Sequence, residues 1–270
     1  MEILSKITPA ETLLIKSNGN AILKDLLKYT FMDLLLKKVL EVKEIDKKEE
    51  NETDENTYVV TGENFYNYKP KDHESILINP FLKSESIEIL LEQFIKMVYE
   101  SSSGAHYYRV TTKRNQEIST YFKSNFFAKL FGSISLNEEG KKLRKDINDY
   151  LGTIDKSIND LLKNDKKKAL KLLAAIRGNI FLLKKLDFKL LKQIDKAFLK
   201  QDKRGSIEEV YDFDMKWLYM DFFDDDTKYD TYFESFDDAF DSADSSSGCS
   251  SGDSGGDSGC SGCGGCGGGD

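Results

Sequence analysis

The four cysteines, Cys249, Cys260, Cys263 and Cys266, all lie in the last part of the chain, the final three in the run Cys-Ser-Gly-Cys-Gly-Gly-Cys. Cys-x-x-Cys spacing lets two thiolates meet one metal ion, because two intervening residues close a tight turn. With Cys249 the set has the donor count of a four-thiolate zinc site or of an iron–sulfur cluster. Against this, no apolar scaffold flanks the ligands in sequence, and glycine makes ordering such a segment entropically costly. The expectation is a disordered Ser/Gly/Cys-rich, low-complexity tail over residues 245–270 without a resident cofactor. Zinc and iron–sulfur stand as the alternatives, and a disulfide framework is disfavoured in a reducing cytoplasm.

Other bond-making constellations are thin. His73 stands in Lys71-Asp72-His73-Glu74, which reads as a solvated loop, and His106 in Gly104-Ala105-His106-Tyr107-Tyr108, a turn entering an ordered segment. Neither histidine has metal-ligand spacing to another His or Cys. Asp224-Asp225-Asp226 lies in a charge run without Ca²⁺-loop spacing and reads as a solvated face. Ahead of the low-complexity tail, residues 1–244 hold no Gly-x-x-x-x-Gly-Lys-Ser/Thr loop, no Gly-x-Gly-x-x-Gly turn and no Gly-x-Ser-x-Gly elbow. These observations argue for recognition rather than catalysis.

The segments that would position such residues differ sharply in charge. The 270-residue chain carries a formal charge of −8. Residues 206–270 hold 17 acidic side chains and two lysines, so they contribute −15 and residues 1–205 carry +7. Within residues 163–204 there are 14 Lys/Arg against four Asp. A basic helical region thus precedes an acidic, aromatic segment at 206–244. Such asymmetry speaks to partners, not to fold.

Thr8-Pro9-Ala10-Glu11 is a capping-box helix start, and Ser17-Asn18-Gly19-Asn20 a stop. Ile22, Leu23, Leu26, Leu27, Phe31, Leu34 and Leu35 recur at helical spacing. Val39–Val42 and Thr57–Val60 read as short strands around a charged loop at Lys47–Asn56. Helices followed by a two-stranded wing describe a winged-helix-like unit over residues 1–70. A second such unit is expected within 71–205, with a helical face from Ile87 to Val98 and a helix near Asn115–Lys123. Asn137 suits the cap of a helix whose first turn carries Glu138 and Glu139. Beyond it, apolar stripes from Ile147 to Phe198 predict further helices with lysines on their backs.

Binding candidates follow from this layout. Lys166, Lys167, Lys168, Lys171, Arg177, Lys184 and Lys185 offer cations to an anionic partner. Phe126 and Phe127 suit an apolar anchor beside them, and Trp217 opens an aromatic, acidic run suited to interaction. That run can also fold back onto the basic 163–204 surface. The helix around Tyr29–Lys38 has few side chains for reading bases. No apolar run approaches the ~18 residues needed to cross a bilayer, and Met1–Lys6 lacks a signal-peptide pattern.

Ser133 to Leu143 resembles the strand-to-helix step after the wing of many bacterial winged-helix proteins. On Pro9-Ala10-Glu11, the Tyr29-to-Val42 step and the Ser261–Gly269 tail, the chain is similar in plan to an uncharacterised bacterial family with a helical, winged-helix-like N-terminal region and a Gly/Cys-rich C-terminus. Many members of that family are membrane proteins, whereas this chain lacks a spanning run. A weaker likeness, on Leu27-Lys28-Tyr29 through Leu40-Glu41-Val42, is to the Golgi phosphoprotein three family of phosphoinositide binders. The tail resembles thiazole/oxazole-modified microcin precursors, which implies azoline closure by a modifying enzyme at Cys249, Cys260, Cys263, Cys266, Ser258 and Ser261.

The expectation is therefore a mainly α, cytoplasmic, non-catalytic interaction protein with short β-hairpins and a disordered tail. It would bind a protein partner or lie peripherally on an anionic membrane surface. The alternatives are a nucleic-acid-binding regulator and a substrate of a peptide-modifying enzyme.

Overall fold

A computed structural model describes residues 1–46, 55–83, 87–123, 134–191 and 229–246. Helix α1 (Pro9–Lys16) begins with the expected capping box: Glu11 N–H donates to Thr8 Oγ1, and Thr8 N–H donates to Glu11 Oε2 at 2.7 Å. It ends where Asn18 and Gly19 take positive φ. Helix α2 (Leu23–Leu36) follows and is buried on most of its surface from Leu26 onward. A side chain added at Gly19 would sit 2.2 Å from the Ile134 carbonyl oxygen, so this turn also lets a distant segment approach closely.

Strands β1 (Leu40–Asp46) and β2 (Glu55–Thr61) form the expected antiparallel hairpin, in register from Leu40 opposite Thr61 to Asp46 opposite Glu55. A third strand, β3 (Ile89–Leu90), pairs with β2 and was not foreseen. The Ile87–Val98 stripe had read as helix throughout. Its first residues instead pair with the hairpin, and helix α4 (Leu91–Ser101) starts directly afterwards. A single helical turn, α3 (Ser75–Ile78), precedes β3.

Helices α5 (Ala105–Lys113) and α6 (Gln116–Ser119) lead to a narrow antiparallel contact rather than a full second hairpin among the described residues. Phe122 bridges Leu136, flanked by Lys123 N–H to Ser135 O and Asn137 N–H to Tyr121 O, each 2.9 Å. Asn137 then caps the long helix α7 (Glu138–Asn164), accepting from Gly140 N–H. Helix α8 (Lys166–Ile176) is capped by Asp165 and runs into a 3-10 stretch over Arg177–Leu182. Asn179, buried there, places its amide nitrogen 2.9 Å from Leu4 O, 3.1 Å from Ile7 O and 3.0 Å from Ile176 O, tying the N-terminus to the end of α8.

The last described element is helix α9 (Tyr229–Ser246), which carries acids and phenylalanines. It does fold back, and within the described part of the 163–204 stretch it meets Phe181, 6.0 Å from Phe233, rather than the lysines of α8. It packs along α4 and α2, where Phe236 lies 5.8 Å from Phe31 and Phe240 meets Tyr99 edge-on at 5.2 Å. Asp237 and Asp241 take Lys28 and Lys24 as partners, each at 2.9 Å. The reason is packing: α9 presents phenylalanines to an apolar groove, and the lysines on the α2 rim match its acids. The fold is mainly helical, and one core runs from Leu4 to Phe240 across the residue-70 boundary. Among the described residues no helix is long and apolar enough to cross a membrane.

Candidate functional site

Two features have the composition of a site: a charged cluster under α1 and α2, and a lysine face on α8. The cluster was invisible as such in the sequence. Glu11, Asp33, His73 and Glu74 are all buried, which corrects the reading of His73 as a loop residue in solvent. The polar Lys71–Glu74 stretch turns inward because its side chains meet opposite charge already placed on α1 and α2.

Glu11 Oε2 receives Lys71 Nζ at 2.7 Å, and Glu11 Oε1 accepts from Asn115 Nδ2 at 2.6 Å. His73 Nε2 lies 3.2 Å from Thr8 Oγ1, and Tyr108 OH donates to His73 O at 2.9 Å. Lys37 Nζ sits 2.7 Å from Asp33 Oδ2 and 3.1 Å from Glu74 Oε1. Tyr68 OH donates to Glu74 at 2.8 Å, and Lys71 N–H donates to Glu74 Oε2 at 2.7 Å. Lys37 is an ion-pair neighbour of Asp33 Oδ2 without hydrogen-bond alignment, so that oxygen has charge compensation but no donor.

Burial works against every charge here, and the pairs decide which survive. Burial pulls the Lys37 ammonium down, but Asp33 and Glu74 outweigh it and hold the group well above its ordinary range. Burial pushes Glu74 up, yet Lys37 and the hydrogen bonds from Lys71 and Tyr68 bring it below the ordinary carboxylate value. Asp33 stays raised because burial exceeds the help from Lys37. Burial likewise lowers His73, against the pull of Glu11 and Glu74. The cluster's polar groups thus serve one another, and the arrangement is that of a structural clasp between α1, α2 and the 68–74 segment. Two signals in the sequence mark it: Glu11 and Asp33 each interrupt an apolar helical face and so require a buried partner.

His73 gives the clasp an acid limb. Its folded value lies below the ordinary 6.5, so the unfolded chain takes the proton first as pH falls. The associated stability is fully present above pH 6.5 and is lost as pH drops toward the folded value. The thermal midpoint is expected to fall from pH 6.5 to pH 4.5, at no more than about 1.4 kcal/mol per pH unit for this group. Asp33, raised, works in the opposite direction, so the comparison is with His73→Gln, in which the decline over this range should flatten. An equal decline in both proteins would remove His73 as its source.

Lys166, Lys167, Lys168, Lys171, Arg177, Lys184 and Lys185 are all exposed. Among the described residues none of the six lysines has a carboxylate partner, while Asp165 and Asp155 near them engage the backbone N–H groups of Lys168 and Lys185. Lys16 on α1 joins the face: burial and then the Lys184 charge hold its ammonium below the usual range. Phe126, Phe127, Trp217 and all four cysteines lie outside the described residues. Among the described residues no His/Cys/Asp/Glu group has metal-binding geometry.

The sequence offers few base-reading side chains on the helix around Tyr29–Lys38. Helix α2 is buried beneath α9 and against α1, and its polar Thr30 and Asp33 face inward. Comparison with protein-family models, with curated proteins and with solved structures finds no match to this chain.

Proposed function

We propose that this chain is a non-catalytic interaction protein whose lysine face, Lys166, Lys167, Lys168, Lys171, Arg177, Lys184 and Lys185, associates with an anionic membrane surface. The observation that carries this reading is that the acidic α9 docks along α2 and α4, with Asp237 and Asp241 on Lys24 and Lys28 rather than on the lysines of that face. Four of these lysines sit within two turns of α8, with apolar residues directed into the core, so they share one outward surface. Each lysine near an anionic leaflet contributes about 1 kcal/mol, and the attraction decays over a Debye length.

The test is co-sedimentation of the full chain with phosphatidylserine-containing vesicles against zwitterionic ones. Binding to anionic vesicles is expected, weakening as salt rises. The variant Lys166→Glu/Lys167→Glu/Lys168→Glu/Lys171→Glu should bind roughly a hundredfold less at low salt while keeping its circular dichroism, since these side chains touch no core. Equal binding by both proteins rejects the reading. Retention of a DNA duplex with sequence preference, and none of vesicles, would instead favour a nucleic-acid partner.

A further inference from the structure

Helix α9 sits on the body as a ligand sits in a groove. Phe233, Phe236 and Phe240 recur at i, i+3 and i+7, the spacing by which a helix anchors in an apolar cleft. Phe233 meets Tyr29 at 6.1 Å and Phe181 at 6.0 Å, Phe236 meets Phe31, and Phe240 meets Tyr99. The next residues along, Asp237 and Asp241, fix the polar edge on Lys28 and Lys24, and Asp244 accepts from Tyr99 OH at 2.6 Å. Asp25 also lies 4.0 Å from Lys28, so the lysine rim is locally balanced rather than strongly positive. All these contacts join α9 to body residues between Lys24 and Phe181, and residues 192–228 separate Leu191 from Tyr229. A stretch of that length can reach on the order of 120 Å when extended. The covalent link therefore does not dictate whose groove the helix occupies.

We propose that the α2–α4 groove is a receptor for an acidic, phenylalanine-bearing helix and that its partner in trans is the α9 helix of a second copy of this chain, two copies exchanging their last helices. The contacts are identical in cis and in trans, so exchange sacrifices no interface. The tethered helix wins in dilute solution because its effective concentration is of millimolar order, and the exchanged dimer grows as protein concentration rises. Charge complementarity selects the occupant: Asp237 and Asp241 must face Lys28 and Lys24.

Two full-length variants test this. One carries Lys24→Glu/Lys28→Glu, the other Asp237→Lys/Asp241→Lys. Within each copy, groove and helix repel. In a mixture, each helix finds its complement only on the other copy. Native mass spectrometry should show a heterodimer on mixing, at least tenfold more abundant than the dimer in either separate sample. The four-site variant, matched again in cis, should return to wild-type behaviour. A mixture equal to the sum of its separate samples, with the four-site variant folded, overturns the proposal. Should that variant not fold, a fluorescent peptide of residues 229–246 titrated into the Asp237→Lys/Asp241→Lys chain, whose own helix no longer competes for the groove, decides: saturable binding that is lost when the peptide itself carries Asp237→Lys/Asp241→Lys supports exchange, and absence of binding overturns it.

Discussion

Replacing Gly178 by alanine is expected to cost the protein several kcal/mol, enough to unfold a large fraction of it near 37 °C. An ideal Cβ at this position would lie 1.9 Å from Asp33 Oδ1, 2.9 Å from Asp33 Cγ and 3.2 Å from Pro9 Cδ. Asp33 cannot simply swing aside, because it is buried and paired with Lys37. Moving it would part the buried Asp33 carboxyl from Lys37, a loss of up to about 3–5 kcal/mol. The backbone has little room to give either, since Arg177 just before already holds φ 49° and ψ −134°. Gly152→Ala is the control: nothing lies within 4 Å of the added carbon, and the site is a helix interior. There alanine should stabilise by about 0.5–1 kcal/mol. Combining Gly178→Ala with Asp33→Ala should recover part of the loss by removing the clash. Urea denaturation of the four proteins checks this. A Gly178→Ala midpoint equal to wild type would mean that the Arg177–Leu182 stretch does not press against α2 at Asp33.

The second large effect is expected at Lys37. Lys37→Met keeps most of the side-chain volume but removes the one ammonium shared by Asp33 and Glu74. Glu74 retains Tyr68 and the Lys71 N–H, whereas Asp33 Oδ2 has no hydrogen-bond donor to fall back on. The expected destabilisation is about 3–5 kcal/mol near neutral pH, seen as a thermal midpoint roughly 10 °C lower. Its pH dependence follows from Glu74. In the wild type that carboxyl is held below its ordinary 4.5, so its contribution is present above pH 4.5 and fades as pH falls through the folded value. The gap between wild type and Lys37→Met should therefore be widest near neutrality and narrow on the acid side, where the orphaned acids take protons. A gap independent of pH would point to lost packing around the lysine stem instead.

Local signals carried the parts of this fold that local chemistry determines. Thr8, Pro9 and Glu11 start α1, Asn18 and Gly19 end it, and Asn137 opens α7, each through contacts within four residues. The hairpin of β1 and β2 was legible because two apolar strands flank a charged turn region. Strand β3 was not, because Ile89 and Leu90 satisfy a helical stripe and a strand equally well, and only the free edge of β2 decides. The clasp was hidden for a similar reason. His73 and Glu74 sit in a polar run that reads as surface, and their partners Thr8 and Lys37 lie 65 and 37 positions away. The destination of α9 depended on distant residues too: net charge pointed to the abundant lysines of 163–204, whereas the groove lined by Phe31 and Tyr99 captured the phenylalanines. Exposure of the α8 lysines, by contrast, followed directly from helical period.

Lysine footprinting by acetylation and mass spectrometry, with and without phosphatidylserine vesicles, shows which lysines meet the anionic surface. Lys166, Lys167, Lys168, Lys171, Lys184 and Lys185 are expected to lose reactivity on the vesicles while the exposed Lys43, Lys83 and Lys141 keep theirs. Protection spread evenly over all nine, or confined to the last three, would contradict that expectation.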